Sequence, residues 1–339
     1  KPGLPYFMIV NPYQVAGLLP SVLTALDMGV LGRHFPRFYE GMYVPLRTKF
    51  HDTRASRYVN AELSQLLEHK EAPIFSSIEI ETINRCNGAC SFCPVNRMAD
   101  IRPLKLMERR LFESIIHQLA ELDFRGSLAI QSNNEPLLDG RVYEFCEMAR
   151  KCVPNAYLEM FSNGSLLTVE RLKDLMRSLD HLVIDSYDDG QKLRGAMRDV
   201  AEVVEGDPAL KERVFIYLRR ENLIRSNRGG KAPNRKSIIH LSSRCVLPFI
   251  QMCVRPDGKL SLCCCDAYGS MTMGDLNEER ILEAWHNDRY REARRRMLAG
   301  RGNIEICKAC DVVNRIPFVT VPNPMAKPNP KSVISIVGV

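Results

Sequence analysis

From residue 76 onward the apolar positions alternate between two periods. "SSIEIETI" (76–83), "GSLAIQS" (126–132), "AYLEMFS" (156–162), "HLVIDS" (181–186) and "RVFIYL" (213–218) read as strands, with "SIIHLS" (237–242) as a sixth. Between them, 107–122, 139–151, 168–178 and 190–205 carry apolar residues at helical spacing. A strand–helix repeat of this length gives parallel strands joined by right-handed crossovers. The expected fold is therefore α/β, a partial (β/α)6 barrel of the TIM type.

The pattern changes near residue 244. "FIQMCVRPDGKLSLCC" (249–264) reads as a β-hairpin turning at Pro256-Asp257-Gly258, with glycine where positive φ is needed. A helix is expected over 278–298, then "CKAC" (307–310), and from 313 a Pro-rich tail. This divides the chain into an N-terminal extension of unknown role (1–74), a barrel (75–243), a small hairpin-plus-helix domain (244–312) and a tail (313–339).

Composition narrows the class. The 339 residues are 45% hydrophobic and 26% charged, ordinary for a globular protein. The net charge of +7 is a weak signal, and "RYREARRRM" (289–297) reads as a solvated helix face rather than a nucleic-acid patch. The most apolar early stretch is broken by Asn11, Gln14, Pro20 and Asp27, so no membrane span or signal peptide is expected. Seven of the twelve cysteines fall in three tight groups, 86/90/93, 263/264 and 307/310. That clustering points to metal ligation in a reducing compartment, hence a cytoplasmic protein, rather than to a disulfide scaffold.

"RCNGACSFCPVNR" (85–97) places Cys86, Cys90 and Cys93 on one loop after a strand, where active sites sit in α/β barrels. Three thiolates can hold three irons of a four-iron cube and leave the fourth open. A structural zinc site is the alternative, though zinc normally takes four protein ligands. The triplet, with Phe92 before its last cysteine, resembles the signature of the radical S-adenosylmethionine (SAM) superfamily. The resemblance implies that SAM chelates the open iron of a [4Fe-4S] cluster and is cleaved to a 5′-deoxyadenosyl radical. It also implies an electron donor such as flavodoxin or ferredoxin. In "NNEP" (133–136), Asn134 and Glu135 stand where the family contacts the SAM methionine amine, with asparagines replacing the usual glycines. In "SNG" (162–164), Ser162 and Asn163 stand where it contacts the ribose.

Cys245, Cys263, Cys307 and Cys310 supply four more thiols, enough to close a second centre, either zinc or iron–sulfur. Their spacing resembles the half-length auxiliary-cluster domain of radical SAM enzymes, the "twitch" form of the longer SPASM domain, which implies a second [4Fe-4S] cluster. Over about 76–312 the motif order is similar to radical SAM aminocyclitol dehydrogenases of the 2-deoxy-scyllo-inosamine type and to related sugar epimerases. "SNRGG" (226–230) and "AWHND" (284–288) are the most specific shared stretches. That likeness implies a carbohydrate or aminocyclitol substrate and a role for Arg228 in holding one of its hydroxyls. Trp285 is read as core, as are Cys146, Cys152 and Cys253.

"LCCCD" (262–266) departs from the dehydrogenase pattern, which carries an aromatic residue at position 264. A thiol at Cys264 beside a substrate carbon radical could return a hydrogen atom to it, giving an epimer. Without that donor, loss of an electron and a proton gives a ketone. The lead expectation is a radical SAM epimerase, with a dehydrogenase as the main alternative. A peptide maturase would need 1–74 to form a winged-helix leader-binding module, and the pattern for one is not evident. A non-enzymatic metal-binding module is the remaining alternative.

Overall fold

The computed structural model describes residues 72–312, apart from 189, 191, 220–225 and 236–239, together with scattered positions between 35 and 64. Six parallel strands form the main sheet: β1 (Ser77–Ile80), β2 (Ser127–Ala129), β3 (Tyr157–Ser162), β4 (His181–Tyr187), β5 (Val214–Arg219) and β6 (Gln251–Val254). Two antiparallel strands, β7 (Lys259–Ser261) and β8 (Thr272–Asp275), extend it, and the order is β5-β4-β3-β2-β1-β6-β7-β8.

The sixth parallel strand differs from the one the sequence pattern suggests. Residues 240–242 are not a strand and 236–239 lie outside the described residues. The strand beside β1 is instead β6, in register Ser77↔Gln251 to Ile80↔Val254. Parallel strands need a long crossover, and among the described residues the chain between β5 and β6 holds no further strand. The hairpin domain is thus continuous with the barrel sheet. That continuity brings "LCCCD" alongside the barrel mouth.

Four amphipathic helices cover the sheet: α1 (Arg109–Glu121), α2 (Val142–Cys152), α3 (Val169–Ser178) and α4 (Ala196–Gly206). Their apolar stripes bury Phe112, Ile115, Phe145, Leu172, Leu175 and Val200 against the outward residues of the strands, such as Ile78 and Ile80. On the opposite face of β1 the partly exposed Ser77 and Glu79 alternate with them, the period-two division of a sheet buried on one side. The expected helix at 278–298 is two helices, α5 (Ile281–Trp285) and α6 (Asp288–Ala299). Asn287 breaks it, because its side chain accepts from Tyr290 N and caps α6. A short helix, α7 (Glu305–Ala309), carries Cys307.

Gly258 has φ of +83° in the β6–β7 turn, as its sequence context requires. Trp285 is fully buried and donates to Pro73 O at 2.8 Å. Asp52, in the N-terminal extension, accepts from Ser242 N, Ser242 Oγ and Ser243 N at 2.7–3.0 Å, just before Cys245. Among the described residues no helix is long and apolar enough to cross a membrane.

Candidate functional site

The loop after β1 carries Cys86, Cys90 and Cys93 at the carboxyl end of the parallel strands. Asn96 folds it: its Nδ2 donates to Cys90 O at 3.0 Å and to Cys93 O at 2.7 Å, while its Oδ1 accepts from Met98 N and Ala99 N. A β-carbon at Gly88 would lie 3.4 Å from Cys86 Sγ and 3.8 Å from Cys90 Sγ, so these two thiols face one small space. Cys86 Sγ accepts from Gly88 N at 3.3 Å and faces Asn163 Nδ2 at 3.8 Å. Burial pushes the Cys86 thiol up to about 11, so an anionic sulfur there needs a cation to hold it. Phe92 is buried and its ring lies 5.6 Å from that of Tyr187. Tyr268, from beyond the hairpin, donates to Pro94 O at 2.8 Å and closes the second domain onto this loop.

The next strand ends are tied to the same loop. Glu135 is 1% exposed, and its carboxylate accepts from Leu137 N, Ser162 Oγ and Asn163 N at 2.7–3.1 Å. Through these bonds Glu135 ties the ends of β2 and β3 together. Asn163 Nδ2 donates to Asn87 Oδ1 at 2.9 Å, fixing its side chain above the cysteine loop. Asn134 Oδ1 accepts from Ser132 N at 2.9 Å, but its buried Nδ2 has no protein partner, and neither has the buried Oε1 of Gln131. Orphaned donors and acceptors at this depth are costly, and they suit the polar groups of a bound SAM.

Asn133, which the sequence marks only as an asparagine in place of a usual glycine, is the joint of the site. Its Oδ1 accepts from Arg228 Nη2, and its Nδ2 donates to Cys264 O at 3.1 Å. Gln251 Oε1 accepts from Cys264 N at 3.2 Å, so both backbone groups of Cys264 are held. Cys264 is partly exposed, whereas Cys263 and Cys265 on either side are buried. The Arg228 guanidinium is held in its charged form against the cost of burial by the neighbouring Cys265, Cys93, Cys264 and Glu79. It therefore lies between the first cysteine loop, the hairpin and the barrel lumen.

Arg228 itself has φ of +50°, and Gly229 and Gly230 have φ of +64° and +81°. This left-handed run costs an arginine about 1–2 kcal/mol. Asn227 holds the turn to the end of α7, donating from Nδ2 to Ala309 O at 2.6 Å and from its backbone N to Asp311 Oδ1 at 2.7 Å. A β-carbon at Gly229 would meet Ile306 Cγ1 at 2.5 Å.

Cys245, Cys263, Cys307 and Cys310 are all buried, and the neighbouring Cys265 side chain, together with burial, pushes the Cys263 and Cys310 thiols up. Cys265 thus belongs to this second thiol group, which its adjacency to a ligand-spaced cysteine could have signalled. The buried Arg301 guanidinium faces Cys245, Cys310 and Cys307, and carbonyls of Ser243, Arg244 and Val312 fix it. Desolvated thiols beside a fixed cation suit a cluster of net negative charge. Among the described residues no three His, Cys, Asp or Glu side chains meet as a single-ion site.

Comparison with known proteins agrees with this geometry. A model of the radical SAM superfamily matches residues 80–215, and a model of an iron–sulfur cluster-binding domain (SPASM) matches 245–311. The chain is 31% identical over 242 residues to an S-adenosyl-L-methionine-dependent 2-deoxy-scyllo-inosamine dehydrogenase of Niallia circulans, covering 71% of this chain and 94% of that protein. The structure of BtrN in complex with AdoMet and 2-DOIA superposes with a TM-score of 0.61 at 28% identity, over 71% of this chain and 94% of the other. BtrN in an open conformation shares the fold, with a TM-score of 0.53 at 24% identity over the same shares. With a SAM-type cysteine loop at the barrel mouth and an iron–sulfur domain packed beside it, the chain belongs to the radical SAM superfamily.

Proposed function

We propose that this enzyme removes a hydrogen atom from a hydroxyl-bearing carbon of an aminocyclitol or sugar and returns one from Cys264, inverting the centre. The observation that carries the reading is the placement of Cys264. It is a partly exposed thiol, clamped through both backbone groups and beside the Arg228 guanidinium, at the mouth of the barrel. In this reading Cys86, Cys90 and Cys93 hold the SAM-binding [4Fe-4S] cluster, and Cys245, Cys263, Cys307 and Cys310 hold an auxiliary one. When bound, SAM and the first cluster supply the 5′-deoxyadenosyl radical that abstracts the hydrogen atom.

The chain's own residues do the rest. Phe92, Asn134, Ser162 and Asn163 shape the SAM side of the mouth, with Glu135 holding the last two in place. Arg228 presents fixed donors to a substrate hydroxyl and orients the reacting carbon. The Cys264 S–H bond breaks as the new C–H bond forms, which is downhill because the S–H bond is the weaker. The sulfur radical left behind takes an electron from the donor that serves the clusters and a proton from solvent, restoring the thiol. SAM is consumed once per turnover, because the deoxyadenosine formed keeps its hydrogen.

A dehydrogenase is the second reading, favoured by the 31% identity to an enzyme of that activity. Turnover in deuterium oxide separates the two. The epimerase incorporates one solvent deuterium at the inverted carbon, and Cys264→Ala accumulates ketone or stalls after forming deoxyadenosine. A ketone as the wild-type product, or an unchanged epimer from Cys264→Ala, overturns the proposal.

A further inference from the structure

Some buried carboxylates in this protein pair with a cation, as Glu81 does with Arg102 at 3.0 Å and Asp311 with Arg235, while Asp52, Glu135 and Asp266 accept hydrogen bonds from neutral donors. Glu79 belongs to the second group. Its Oε2 accepts from Ser132 Oγ at 2.6 Å and faces Cys253 Sγ at 3.8 Å, and its Oε1 accepts from Gln251 Nε2 at 2.8 Å. All three donors are neutral, and among the described residues no ion pair involves Glu79. Arg228 attracts it from a distance, but that guanidinium is bonded to Asn133.

What sets Glu79 apart is its position. It lies on the face of β1 away from the helices and is only partly buried there. Its carboxylate reaches up to Ser132, the neighbour of Asn133, and through Gln251 it is one residue removed from the backbone N of Cys264. The charge therefore faces the same mouth as Arg228 and Cys264. A desolvated carboxylate with only neutral donors is under-compensated, and a hydroxyl ligand would add one more neutral donor. A primary ammonium would add both the missing charge and up to three N–H donors.

We propose that Glu79 is the subsite for a primary amine on the substrate, so that the enzyme selects amino-bearing cyclitols or sugars over their all-hydroxyl counterparts. Arg228 then holds a hydroxyl at one side of the ring and Glu79 an ammonium at the other, which sets which carbon faces the radical and Cys264. The assignment rests on the substrate class proposed above. Burial, helped by the nearby Glu159 charge, pushes the Glu79 carboxyl up to about 7 against the bond from Ser132 and the attraction of Arg228.

The test uses the cluster-loaded, SAM-bound enzyme with 2-deoxy-scyllo-inosamine and with the cyclitol carrying a hydroxyl in place of the amine. The wild type is expected to bind the amine at least tenfold more tightly. Glu79→Gln should lose most of that preference, leave the hydroxyl compound within about twofold, and keep iron content and SAM affinity unchanged. Equal wild-type affinity for the two compounds overturns the assignment whether or not the variant folds. So does a Glu79→Gln loss that is the same for both. Binding of neither compound by the wild type instead refutes the aminocyclitol reading, and the amine subsite falls with it.

Discussion

Replacing Asn133 by alanine removes one side chain that touches two functional groups at once. The lost contacts are a charge-assisted bond from Arg228 and the 3.1 Å bond to Cys264 O. The first is worth about 1.5–3 kcal/mol and the second about 1 kcal/mol. Asn133 is 5% exposed, so water replaces these bonds poorly. Together they predict a loss of about 2–4 kcal/mol in stability, or several degrees in Tm for a chain of this size. The functional effect should be larger than that of a peripheral cavity, because Arg228 and the Cys264 loop are both released. Deoxyadenosine formed per product should rise as the substrate radical waits longer for its hydrogen. Asn133→Asp separates the two contacts, since it keeps an acceptor for Arg228 but sets an acceptor against Cys264 O. It should recover most of the stability and little of the coupling. Anaerobic thermal unfolding and the ratio of deoxyadenosine to product measure both. An Asn133→Ala enzyme with unchanged Tm and unchanged ratio refutes the linkage.

Two further substitutions test the frame around the site. Gly229→Ala combines a left-handed φ of +64° with a β-carbon 2.5 Å from Ile306 Cγ1, which predicts about 2–4 kcal/mol of destabilisation and loss of roughly half the bound iron as α7 is displaced. Iron quantitation checks it, and full iron retention would count against the packing argument. Asp52→Asn weakens the tether of the N-terminal extension to Ser242 and Ser243. Burial raises the Asp52 carboxyl, but the bonds from Ser243 and Ser242 outweigh it and leave it below its ordinary 3.8. A depressed carboxyl stabilises the fold above its unfolded pKa and loses that contribution as pH falls through its folded one. The deficit of Asp52→Asn, about 1–3 kcal/mol at pH 7, should therefore shrink below about pH 4. Urea unfolding at pH 7 and pH 3 measures it, and a deficit independent of pH removes the charge from the account.

The class of fold was legible because strand and helix periods are local. Alternation at 156–162 and helical spacing at 168–178 each reappear as elements within a residue or two. The sixth strand was misplaced because β6 joins β1 across some 170 residues, and no local period reports which edge a strand will choose. The split at Asn287 was missed because a capping side chain inside an amphipathic run barely disturbs the hydrophobic pattern. Asn133 was overlooked for a related reason. Its partners Arg228 and Cys264 are 95 and 131 residues away, so the sequence showed an asparagine where a glycine is usual, and nothing of what it holds.

By itself the sequence determined the chemistry that depends on residue type and short spacing. Three cysteines within eight residues, a Cys-x-x-Cys pair and an Arg-Gly-Gly turn are readable because each is a local arrangement with few physical uses. Tertiary structure decided what those groups face. Folding surrounds the buried Glu135 with three protein donors, sets Cys265 beside the second thiol group, and leaves Glu79 at the mouth bonded only to neutral donors. These are matters of desolvation and of partners distant in the chain, and they arise only when the sheet brings its strand ends together.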